Sequence, residues 1–419
     1  MFLNKKFKKT IAIIGLGYVG LPLAIAFGKK FNVLGYDLNK KRIKELKKKK
    51  DSNLEISKKE FTKSKFIKFS DLEKDLYGCD IFIITVPTPI TKDKKPDLRL
   101  LIKATKTVAK NIKKKSMIIY ESTVYPGTTE EICLPIIERV SKLKLNSDFT
   151  LGYSPERINP GDKTHTLEKI TKVVSASNLD GINEIKKLYQ SIIKPKIYIA
   201  NSIKIAESAK IIENTQRDIN IALMNELDKI FDKLNINTHE VLDAAKTKWN
   251  FLDFTPGLVG GHCIGVDPYY LTFKAKQAGY VPKIILSGRK VNDGMPDYIN
   301  KKIIKKLKKQ KINLKKINVL ILGVTFKENC NDTRNSKSLE LCDKISKKFK
   351  QVDIYDPYIN KNFTHNNKIN FLKKFPKKKY NVIVLSVKHS FFIKTGFKKI
   401  KKLMKKNCIF IDIKNTFKN

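Results

Sequence analysis

A glycine-rich turn near the N-terminus constrains the fold of this chain more than any other feature. Gly15, Gly17 and Gly20 form a G-x-G-x-x-G pattern between the apolar segment 11–14 and a helical pattern. Asp37 ends the next apolar segment, about twenty residues further on. The glycines permit a tight turn and a close approach of the backbone to a pyrophosphate, and the helix N-terminus supplies free N–H groups. The pattern therefore predicts a βαβ unit that binds a dinucleotide.

The acidic residue indicates which dinucleotide is bound. A carboxylate at Asp37 can accept hydrogen bonds from both ribose hydroxyls and would repel a 2′-phosphate, so the sequence favours NAD over NADP. Thr85, Pro87 and Thr88 lie in segment 85–89, which ends a later predicted strand at the same edge of the sheet, where it could cover the cofactor. The alternatives are a glycine-rich turn that only packs an ordinary βα unit, and a loop at 85–89 that is merely rigid.

Apolar and helical patterns divide the chain into three regions. Residues 1–200 alternate buried strands with helices, residues 201–299 begin with one long helical pattern from about 202 to 234, and residues 300–419 return to strands separated by lysine-rich helices. We predict an α/β fold with two Rossmann-like doubly wound sheets, joined by a long central helix and a helical domain. The segments predicted as strands are 11–14, 31–36, 81–86, 117–120, 149–152, 317–322, 352–355, 382–385 and 409–413, and segment 20–30 is predicted as a helix.

The strongly basic composition raises the question of a nucleic-acid or anionic-membrane partner. The formal net charge is +46, but only seven of the 86 basic residues are arginine. Arginine is the better donor for phosphates and base edges, so a nucleic-acid reader would use more of it. The lysines accompany abundant Ile and Asn, as A/T-rich codons would give. We therefore expect a solvated basic surface and no nucleic-acid partner. A basic nucleic-acid-binding protein remains the alternative outside the enzymes.

The N-terminal segment and the cysteines indicate the compartment. A basic start at 1–9 precedes an apolar run at 11–28, but that run contains Gly15, Gly17, Gly20 and Pro22 and lacks a signal-peptide cleavage site. The six cysteines are scattered without CxxC pairs or metal-ligand spacing, which fits a reducing compartment. The sequence predicts a cytoplasmic protein with no metal and no membrane partner.

A second glycine-rich segment, 257–268, contains the residue best suited to covalent chemistry. Cys263 lies in a loop whose glycines leave its sulfur uncrowded. Asp267 and Pro268 are typical of the N-cap and first turn of a short helix that ends before Gly279, and a thiol close to a helix N-terminus has a stabilised anion. Cys263 could equally be a small buried residue and Asp267 only a cap. The other cysteines are interpreted as core residues.

Further polar residues stand where a catalytic site would need them. Lys210 and Asn214 are four residues apart on the long helix and share one face, where they could hold an oxyanion or a water, or simply be exposed to solvent. Glu156 follows a predicted strand and could activate a water. The segment containing Thr123 follows another strand at the same edge of the sheet.

Taken together, these segments resemble the UDP-glucose/GDP-mannose dehydrogenase family, and within it the branch that acts on N-acetylhexosamines. The resemblance extends from near the N-terminus into the third region. The matching segments are GLGYVGLPLA (15–24), TVPTP (85–89), EST (121–123), SPERINPGD (154–162), KIIENTQRDINIALMNE (210–226), TKWNF (247–251), GLVGGHCIGVDPYYLT (257–272) and GVTFKENCNDTRNSK (323–337).

The resemblance implies a four-electron oxidation that consumes two NAD per UDP-sugar. C6 is oxidised to an aldehyde, which Cys263 captures as a thiohemiacetal; a second oxidation gives a thioester that water hydrolyses to the uronate. It also implies that Lys210 and Asn214 stabilise the oxyanion, that Thr123 and Asp267 hold a water, and that Glu156 assists hydrolysis. The implied cofactor-binding residues are Gly15, Gly17, Tyr18, Val19, Gly20, Asp37, Arg42, Thr85, Pro87, Thr88, Ser122 and Thr123. The implied substrate-binding residues are Glu156, Arg157, Lys210, Asn214, Gly260, Lys327 and Arg334.

Two departures from the glucose-type members bear on the substrate. Those members carry a second acid at the position of Pro160 and a small residue at the position of His262, so the resemblance favours UDP-GlcNAc or UDP-GalNAc over UDP-glucose. UDP-N-acetylmannosamine and UDP-glucose dehydrogenases are the alternatives. A two-electron hydroxyacid dehydrogenase would need no nucleophilic thiol. The long helix is a candidate surface for a homodimer.

Overall fold

The computed structural model describes residues 9–158, 164–359 and 363–417, and Pro160 lies outside them. The chain forms two compact units. The first comprises the residues up to Glu213 together with Tyr269–Tyr280, and the second comprises Asn214–Pro268 and the residues from Val281 onward.

The first unit is built on an eight-stranded sheet with the order β3-β2-β1-β4-β5-β6-β7-β8. All neighbouring strands are parallel except β6 and β7. The strands are β1 (Ile11–Ile14), β2 (Val33–Tyr36), β3 (Ile67–Ser70), β4 (Ile81–Ile84), β5 (Ser116–Tyr120), β6 (Phe149–Tyr153), β7 (Val173–Ala176) and β8 (Tyr198–Ile199). The helices are α1 (Gly20–Phe27), α2 (Lys40–Lys47), α3 (Lys58–Lys63), α4 (Arg99–Ala109), α5 (Leu134–Ser141) and α6 (Leu179–Gln190).

Strand β1 shows why this sheet is covered on both faces. Its four residues are all buried, and alternate side chains of a strand point to opposite faces. Ile11 and Ile13 pack in one hydrophobic cluster, whereas Ala12 and Ile14 pack in another. The sheet therefore lies between two apolar layers, as the continuous apolar strands predict for a doubly wound fold.

One helix, α7, runs through Ile203–Leu234 and is 32 residues long. The predicted long helix is thus confirmed. The apolar residues Ile205, Ile212, Leu223 and Ile230 are about half exposed, and their spacings of seven and eleven residues return to the same helical face.

The second unit is built on a five-stranded parallel sheet with the order β11-β10-β9-β12-β13. The strands are β9 (Asn318–Leu322), β10 (Gln351–Tyr355), β11 (Ile369–Phe371), β12 (Tyr380–Leu385) and β13 (Met404–Asp412). The remaining helices of the chain are α8 (Thr238–Ala245), α9 (Asp267–Gln277), α10 (Lys283–Asp293), α11 (Met295–Lys309), α12 (Lys337–Ser346), α13 (Ser390–Thr395) and α14 (Phe397–Lys401).

The two sheets confirm the predicted fold class, and the differences lie at the margins of elements. The predicted helix 20–30 ends at Phe27, and the strand predicted at 31–36 begins at Val33. The strands β3, β7, β8 and β11 were not predicted because they are short and carry polar or half-exposed residues. Among the described residues, the helices all lack the length and hydropathy that crossing a bilayer requires.

Candidate active site

The glycine-rich turn between β1 and α1 is shaped by close backbone contacts. Gly15 has a φ of 95°, a left-handed conformation that favours glycine. A Cβ on Gly20 would lie 1.8 Å from the Gly15 carbonyl oxygen and 2.3 Å from Thr85 Oγ1, so a larger residue does not fit there. A Cβ on Gly17 would meet no heavy atom within 4 Å. The turn therefore leaves space for a pyrophosphate at the N-terminus of α1.

The loops after β1, β4 and β5 meet at one edge of the sheet because these strands are neighbours. Thr85 Oγ1 donates a hydrogen bond to the carbonyl of the first glycine of the turn (2.7 Å). Ser122 Oγ donates to the Val86 carbonyl (2.7 Å), and Thr88 Oγ1 donates to the Thr123 carbonyl (2.5 Å). The structure thus brings together the predicted cofactor-binding loops, which also contain Tyr18, Val19 and Pro87.

The carboxylate at the end of β2 holds the turn in place. Asp37 is partly exposed; its Oδ2 accepts from the Leu16 N–H (2.8 Å) and its Oδ1 accepts from the Asn39 N–H (2.8 Å). Arg42 is buried, and its Nε donates to the Leu16 carbonyl (2.9 Å). Both predicted residues therefore contact the turn that carries the glycine pattern.

Glu156 belongs to a buried cluster of charges in the first unit. Lys172 is fully buried; its Nζ lies 2.8 Å from Glu121 Oε2 and 3.6 Å from Glu156 Oε2. Tyr189 donates its hydroxyl proton to Glu121. Burial raises the pKa of Glu121, Glu156 adds to the rise, and Lys172 and Tyr189 oppose it. Two acids share one lysine here, so burial outweighs the attraction at Glu121.

The other oxygen of Glu156 is fixed by the backbone. Its Oε1 accepts from the N–H groups of Arg157 and Ile158, each at 2.6 Å. The Arg157 side chain pairs with Glu213 (Nε–Oε1 2.7 Å) and donates to the Thr171 carbonyl (2.9 Å). Glu156 is therefore held in one orientation, as an acid that positions or activates a water must be.

The pair on α7 is buried. Lys210 is 8% exposed and Asn214 is 1% exposed, so the interpretation of these residues as a solvent-exposed pair was wrong. Asn214 Nδ2 donates to the Asp267 carboxylate, and Arg217 donates to Asn214 Oδ1. An amide whose oxygen and nitrogen are both engaged has a fixed orientation.

Cys263 lies in a tight turn that leads into α9. Its carbonyl oxygen accepts from the N–H groups of Val266 (3.0 Å) and Asp267 (2.8 Å), and the residue is partly exposed. Asp267, expected to be the N-cap, is instead the first residue of the helix. This is a shift of one residue, and such boundaries differ by that much between definitions. Gly279, with a φ of 82°, follows the helix as predicted.

A histidine and an aspartate adjoin the thiol. Cys263 Sγ lies 3.3 Å from His262 Nδ1, and His262 Nε2 lies 3.5 Å from Asp332 Oδ2. Burial disfavours the charged imidazole, but hydrogen bonds with Asp332 and Cys263 outweigh it and raise the pKa of His262 to about 9. Arg334 opposes this rise. The imidazole therefore carries a proton at neutral pH.

The segment containing Asp332 packs directly on the cysteine loop. A Cβ on Gly260 would lie 2.5 Å from the Asn335 carbonyl oxygen, and the Gly261 N–H donates to the same oxygen (3.2 Å). Arg334, a predicted substrate-binding residue, is exposed and donates through Nε to Asp332 Oδ2 (3.0 Å). The structure thus brings two of the predicted motifs together.

Lys327, another predicted substrate-binding residue, lies in a loop held by buried groups. Thr325 Oγ1 donates to the Lys327 carbonyl (2.8 Å). Asp356 Oδ2 accepts from the Thr325 N–H (3.2 Å) and lies 3.1 Å from Nε2 of the fully buried His389. These groups position the backbone around Lys327.

The remaining cysteines differ in burial. Cys79, Cys133 and Cys342 are buried, as expected of core residues. Cys408 is partly buried and packs against a hydrophobic cluster of the second unit. Cys330 is also only partly buried, and its interpretation as a core residue was wrong. Cys330 lies in the loop after β9, and Cys408 lies in the last strand, β13.

Two functional groups, one in each unit, were missed by sequence reasoning. Lys172 directly precedes β7, a strand that was itself not predicted, and nothing around it in the sequence indicates that the lysine is buried. Asp332 was inside a quoted motif, but its partner His262 is seventy residues away in sequence. The only general rule that could have suggested the contact between His262 and Asp332 is that buried charged side chains tend to pair with a group of opposite charge.

Comparisons with known proteins agree with this geometry. The sequence profiles of the UDP-glucose/GDP-mannose dehydrogenase family match residues 9–193 (NAD binding domain), 204–294 (central domain) and 320–419 (UDP binding domain). The chain belongs to this family. It is accordingly an NAD-dependent oxidoreductase, and the glycine turn and Asp37 lie in its NAD binding domain.

Individual relatives match over nearly the whole length. The chain is 49% identical to a UDP-N-acetyl-D-glucosamine 6-dehydrogenase of Pseudomonas aeruginosa over 405 residues, which is 96% of each protein. It is 50% identical to the enzyme of the same name from Salmonella typhi, over 96% of this chain and 95% of that one. A solved UDP-D-ManNAc dehydrogenase from Pyrococcus horikoshii is 33% identical, with a TM-score of 0.87 over 97% of this chain and 96% of the other.

Proposed function

We propose that the chain oxidises the C6 alcohol of a UDP-N-acetylhexosamine, UDP-GlcNAc or UDP-GalNAc, to the uronate, as a precursor for a surface polysaccharide. The observation that carries this proposal is the partly exposed Cys263 beside a protonated histidine, in a chain about half identical to two UDP-N-acetyl-D-glucosamine 6-dehydrogenases. A thiol in this setting has a use in a four-electron oxidation, which passes through an aldehyde, and none in a two-electron one.

The cofactor site is the edge of the first sheet. NAD, when bound there, accepts a hydride from the substrate carbon, one for each molecule of NAD. Gly15, Gly17 and Gly20 leave room for its pyrophosphate, and Asp37 would accept from its ribose hydroxyls. Tyr18, Val19, Arg42, Thr85, Pro87, Thr88, Ser122 and Thr123 complete the proposed set.

Cys263 would retain the intermediate between the two oxidations. Its sulfur adds to the C6 aldehyde, and the carbonyl oxygen takes up a proton to give a thiohemiacetal. Loss of a hydride and a proton then leaves a thioester, and water cleaves its C–S bond to release the carboxylate and the thiol. The aldehyde is thereby kept from diffusing away.

Buried polar groups are proposed to stabilise the negative charge that develops on the oxygen at C6 and to assist proton transfer there. Lys210 and Asn214 would stabilise the oxyanion, Asn214 being oriented by its bond to Asp267. Thr123 and Asp267 would hold a water that takes part in proton transfer. Glu156, fixed by two backbone N–H groups, would assist the hydrolysis of the thioester.

The nucleotide part of the substrate is assigned to the C-terminal region. Lys327 and Arg334 offer cationic donors for a diphosphate, and Gly260 and Arg157 complete the substrate-binding set. We propose three functional domains: residues 1–200 bind NAD, residues 201–299 carry the catalytic loop and the dimer helix, and residues 300–419 bind the UDP-sugar.

A homodimer in the cytoplasm is proposed as the working form. The half-exposed apolar stripe of α7, defined by Ile205, Ile212, Leu223 and Ile230, would be covered by a second copy. Free cysteines in the described part of the chain suit a reducing compartment. Light scattering of the purified protein and of the Ile212→Glu variant tests the dimer, because a charge in the stripe should yield monomers.

The second candidate substrate is UDP-N-acetylmannosamine. The observation that favours it is the likeness to the UDP-D-ManNAc dehydrogenase of Pyrococcus horikoshii, with a TM-score of 0.87. UDP-glucose is a further alternative, because the family as a whole includes enzymes of that name.

The test is a panel of UDP-sugars with NAD, in which the NADH formed is counted against the sugar consumed. We expect two NADH per UDP-GlcNAc or UDP-GalNAc and little turnover of UDP-glucose. One NADH per sugar would contradict the proposed mechanism. The Cys263→Ser variant should bind NAD normally and produce no uronate. Unchanged uronate output from this variant would refute the covalent step.

A further inference from the structure

We infer that His262 is a catalytic residue that holds Cys263 as a thiolate, and that Asp332 positions and stabilises this histidine. The inference rests on the proposed function for the use of the thiolate, although the ion pair itself can be tested without any substrate. The observations are the placement of three side chains within the second unit.

The first step is geometric. The two nitrogens of the His262 ring point to different partners: Nδ1 lies 3.3 Å from Cys263 Sγ, and Nε2 lies 3.5 Å from Asp332 Oδ2. The ring also packs against Phe326, with centroids 5.3 Å apart. A chain of thiol, imidazole and carboxylate in this order is the arrangement that activates a nucleophile.

The second step concerns the charges that face the imidazole. Asp332 and Cys263 favour its protonated form, whereas Arg334 disfavours it. Arg334 is bound to Asp332 through Nε and Nη2, and its side chain is 56% exposed, so solvent weakens its repulsion of His262. Burial alone would raise the pKa of Asp332. Hydrogen bonds with His262 and Arg334 outweigh burial, so the pKa of Asp332 lies below its ordinary value. Asp332 therefore stays ionised beside the ring.

The third step is the proton balance. The thiol proton moves from Cys263 Sγ to His262 Nδ1, so that a neutral pair becomes a thiolate and an imidazolium with no change in total charge. Asp332 remains a carboxylate throughout. An ordinary cysteine, with a pKa of about 8.5, is only a few per cent thiolate at pH 7. An adjacent imidazolium favours the anion and so increases the fraction that can attack an aldehyde.

The pair has a use at two points of the proposed cycle. The thiolate is needed when the sulfur adds to the aldehyde, and it is the leaving group when the thioester is hydrolysed. A sulfur whose anion is stabilised leaves more readily. His262 thus acts on the sulfur, while Lys210 and Asn214 are assigned to the oxygen of the same carbon.

The test is the pH dependence of alkylation at Cys263, measured on the full-length protein with iodoacetamide and peptide mass spectrometry. In the unmodified protein we expect the alkylation rate to reach half its plateau at a lower pH than in the two variants that follow. His262→Gln should raise this midpoint by about one unit or more and slow alkylation at pH 7 about tenfold. Asp332→Asn should shift the midpoint in the same direction by a smaller amount.

Three controls belong to this experiment. His365→Gln removes another His–Asp pair of the second unit, in which Nε2 lies 3.0 Å from Asp343, and should leave the midpoint unchanged. Cys408, whose pKa is raised to about 11 by burial, should react slowly in every variant. Cys342 is fully buried, so its labelling in any variant reports loss of the fold.

The outcomes separate the inference from the proposed function. An unchanged Cys263 midpoint in folded His262→Gln overturns the inference, even if UDP-GlcNAc is oxidised with two NADH. A midpoint that rises as expected in a protein that oxidises no UDP-N-acetylhexosamine supports the ion pair and rejects the substrate. Since alkylation needs neither NAD nor sugar, the two results are independent.

Discussion

The two sheets of this molecule share a strand order and a glycine turn after the first strand, but the aspartates beside these turns differ in burial. In both, the first strand of the region is third in the strand order: the eight-stranded sheet begins β3-β2-β1-β4-β5, and the five-stranded sheet has the order β11-β10-β9-β12-β13. Gly15 follows β1 with a φ of 95°, and Gly323 follows β9 with a φ of 82°. Each then presents the next N–H to an aspartate at the end of the neighbouring strand: Leu16 to Asp37 (2.8 Å) and Val324 to Asp356 (2.7 Å).

The differences begin after the shared turn. Helix α1 starts at Gly20, five residues after the first glycine, whereas α12 starts at Lys337, fourteen residues after the second. Asp37 is partly exposed, whereas Asp356 is buried and is bound by the fully buried His389. The first sheet therefore offers a ligand both a helix N-terminus and an accessible carboxylate. In the second sheet the corresponding carboxylate, Asp356, is buried. The longer loop there contains Lys327, Asp332 and Arg334.

An aspartate at the end of the strand next to the glycine turn can therefore bind a ligand where water reaches it, as at Asp37, or stabilise the fold where it is buried, as at Asp356. An accessible carboxylate can exchange a water for a ribose hydroxyl at little cost. A buried one must keep all its hydrogen bonds, because an unsatisfied buried donor costs about 1–3 kcal/mol. Substitutions at matched positions of the two sheets should therefore have different consequences.

The largest effect is expected at Gly20, which has no counterpart in the second sheet. In Gly20→Ala the new Cβ would lie 1.8 Å from the Gly15 carbonyl oxygen, so the turn must shift, at a cost of about 3 kcal/mol. Urea unfolding with pulsed thiol labelling reads the units separately, through Cys133 in the first and Cys342 in the second. The Cys133 midpoint should fall more than that of Cys342. Gly17→Ala, with open space around its Cβ, is the control and should leave both unchanged.

The second effect compares the two aspartates. Asp356→Asn places an amide nitrogen among backbone N–H donors and beside His389, and should destabilise the second unit by about 2 kcal/mol. Asp37→Asn should cost about 1 kcal/mol or less in the first unit, because water can compensate. The same labelling experiment measures both. Equal losses would show that burial does not distinguish these positions.

The two units should respond to pH in opposite directions. Burial raises the pKa of Glu207 from 4.5 to about 7, so the native first unit binds this proton more tightly and loses stability as pH rises from 4.5 to 7. Burial favours the protonated form of Asp356, but hydrogen bonds with His389 and with the Val324 and Tyr358 N–H groups outweigh it and lower the pKa of Asp356 below 3.8. Its stabilisation is present above 3.8 and is lost as pH falls through the lowered pKa.

Hydrogen exchange of peptides from each unit, corrected for intrinsic rates, measures these slopes between pH 3 and 7.5. Glu207→Gln should flatten the slope of the first unit, whatever its effect on absolute stability. A first unit whose protection rises across pH 4.5 to 7 in the unmodified protein would contradict the assignment.

The smallest effect is on cofactor affinity. Asp37→Asn and Gly17→Ala should each weaken NAD binding about tenfold, or about 1.4 kcal/mol, the first by losing an acceptor for the ribose and the second by occupying the space of the pyrophosphate. Asp356→Asn is the matched control and should leave the affinity unchanged, as titration calorimetry would show. Weaker NAD binding in that variant would show that the second carboxylate also serves the cofactor.

Local patterns of the sequence were enough to predict much of this molecule. The apolar segments at 11–14 and 81–86, the glycine turn, Asp37 at the end of its strand and the long helix at 202–234 all rely on short-range rules. Each rule links neighbouring residues: a strand needs successive apolar side chains, and a helix N-terminus needs a permissive turn. Cys263 was identified in the same way, from the glycines around it.

Contacts between distant segments were not predictable in this way. Lys172 lies beside Glu121 because β7 joins the sheet next to β6, and nothing in its own segment indicates it. Lys210 and Asn214 were equally compatible with an exposed face of the helix until packing buried them. His262 meets Asp332 because two loops fold against each other at Gly260 and Asn335.

The sequence by itself determined the elements, their alternation and the identity of the reactive groups, because these depend on residue type and short spacing. Tertiary structure alone decided which groups share a low-dielectric environment, and hence which acid is ionised, which lysine is buried and which histidine carries a proton. The physical reason is that the energy of a charge depends on everything within a few ångströms of it, and most of those neighbours come from elsewhere in the chain.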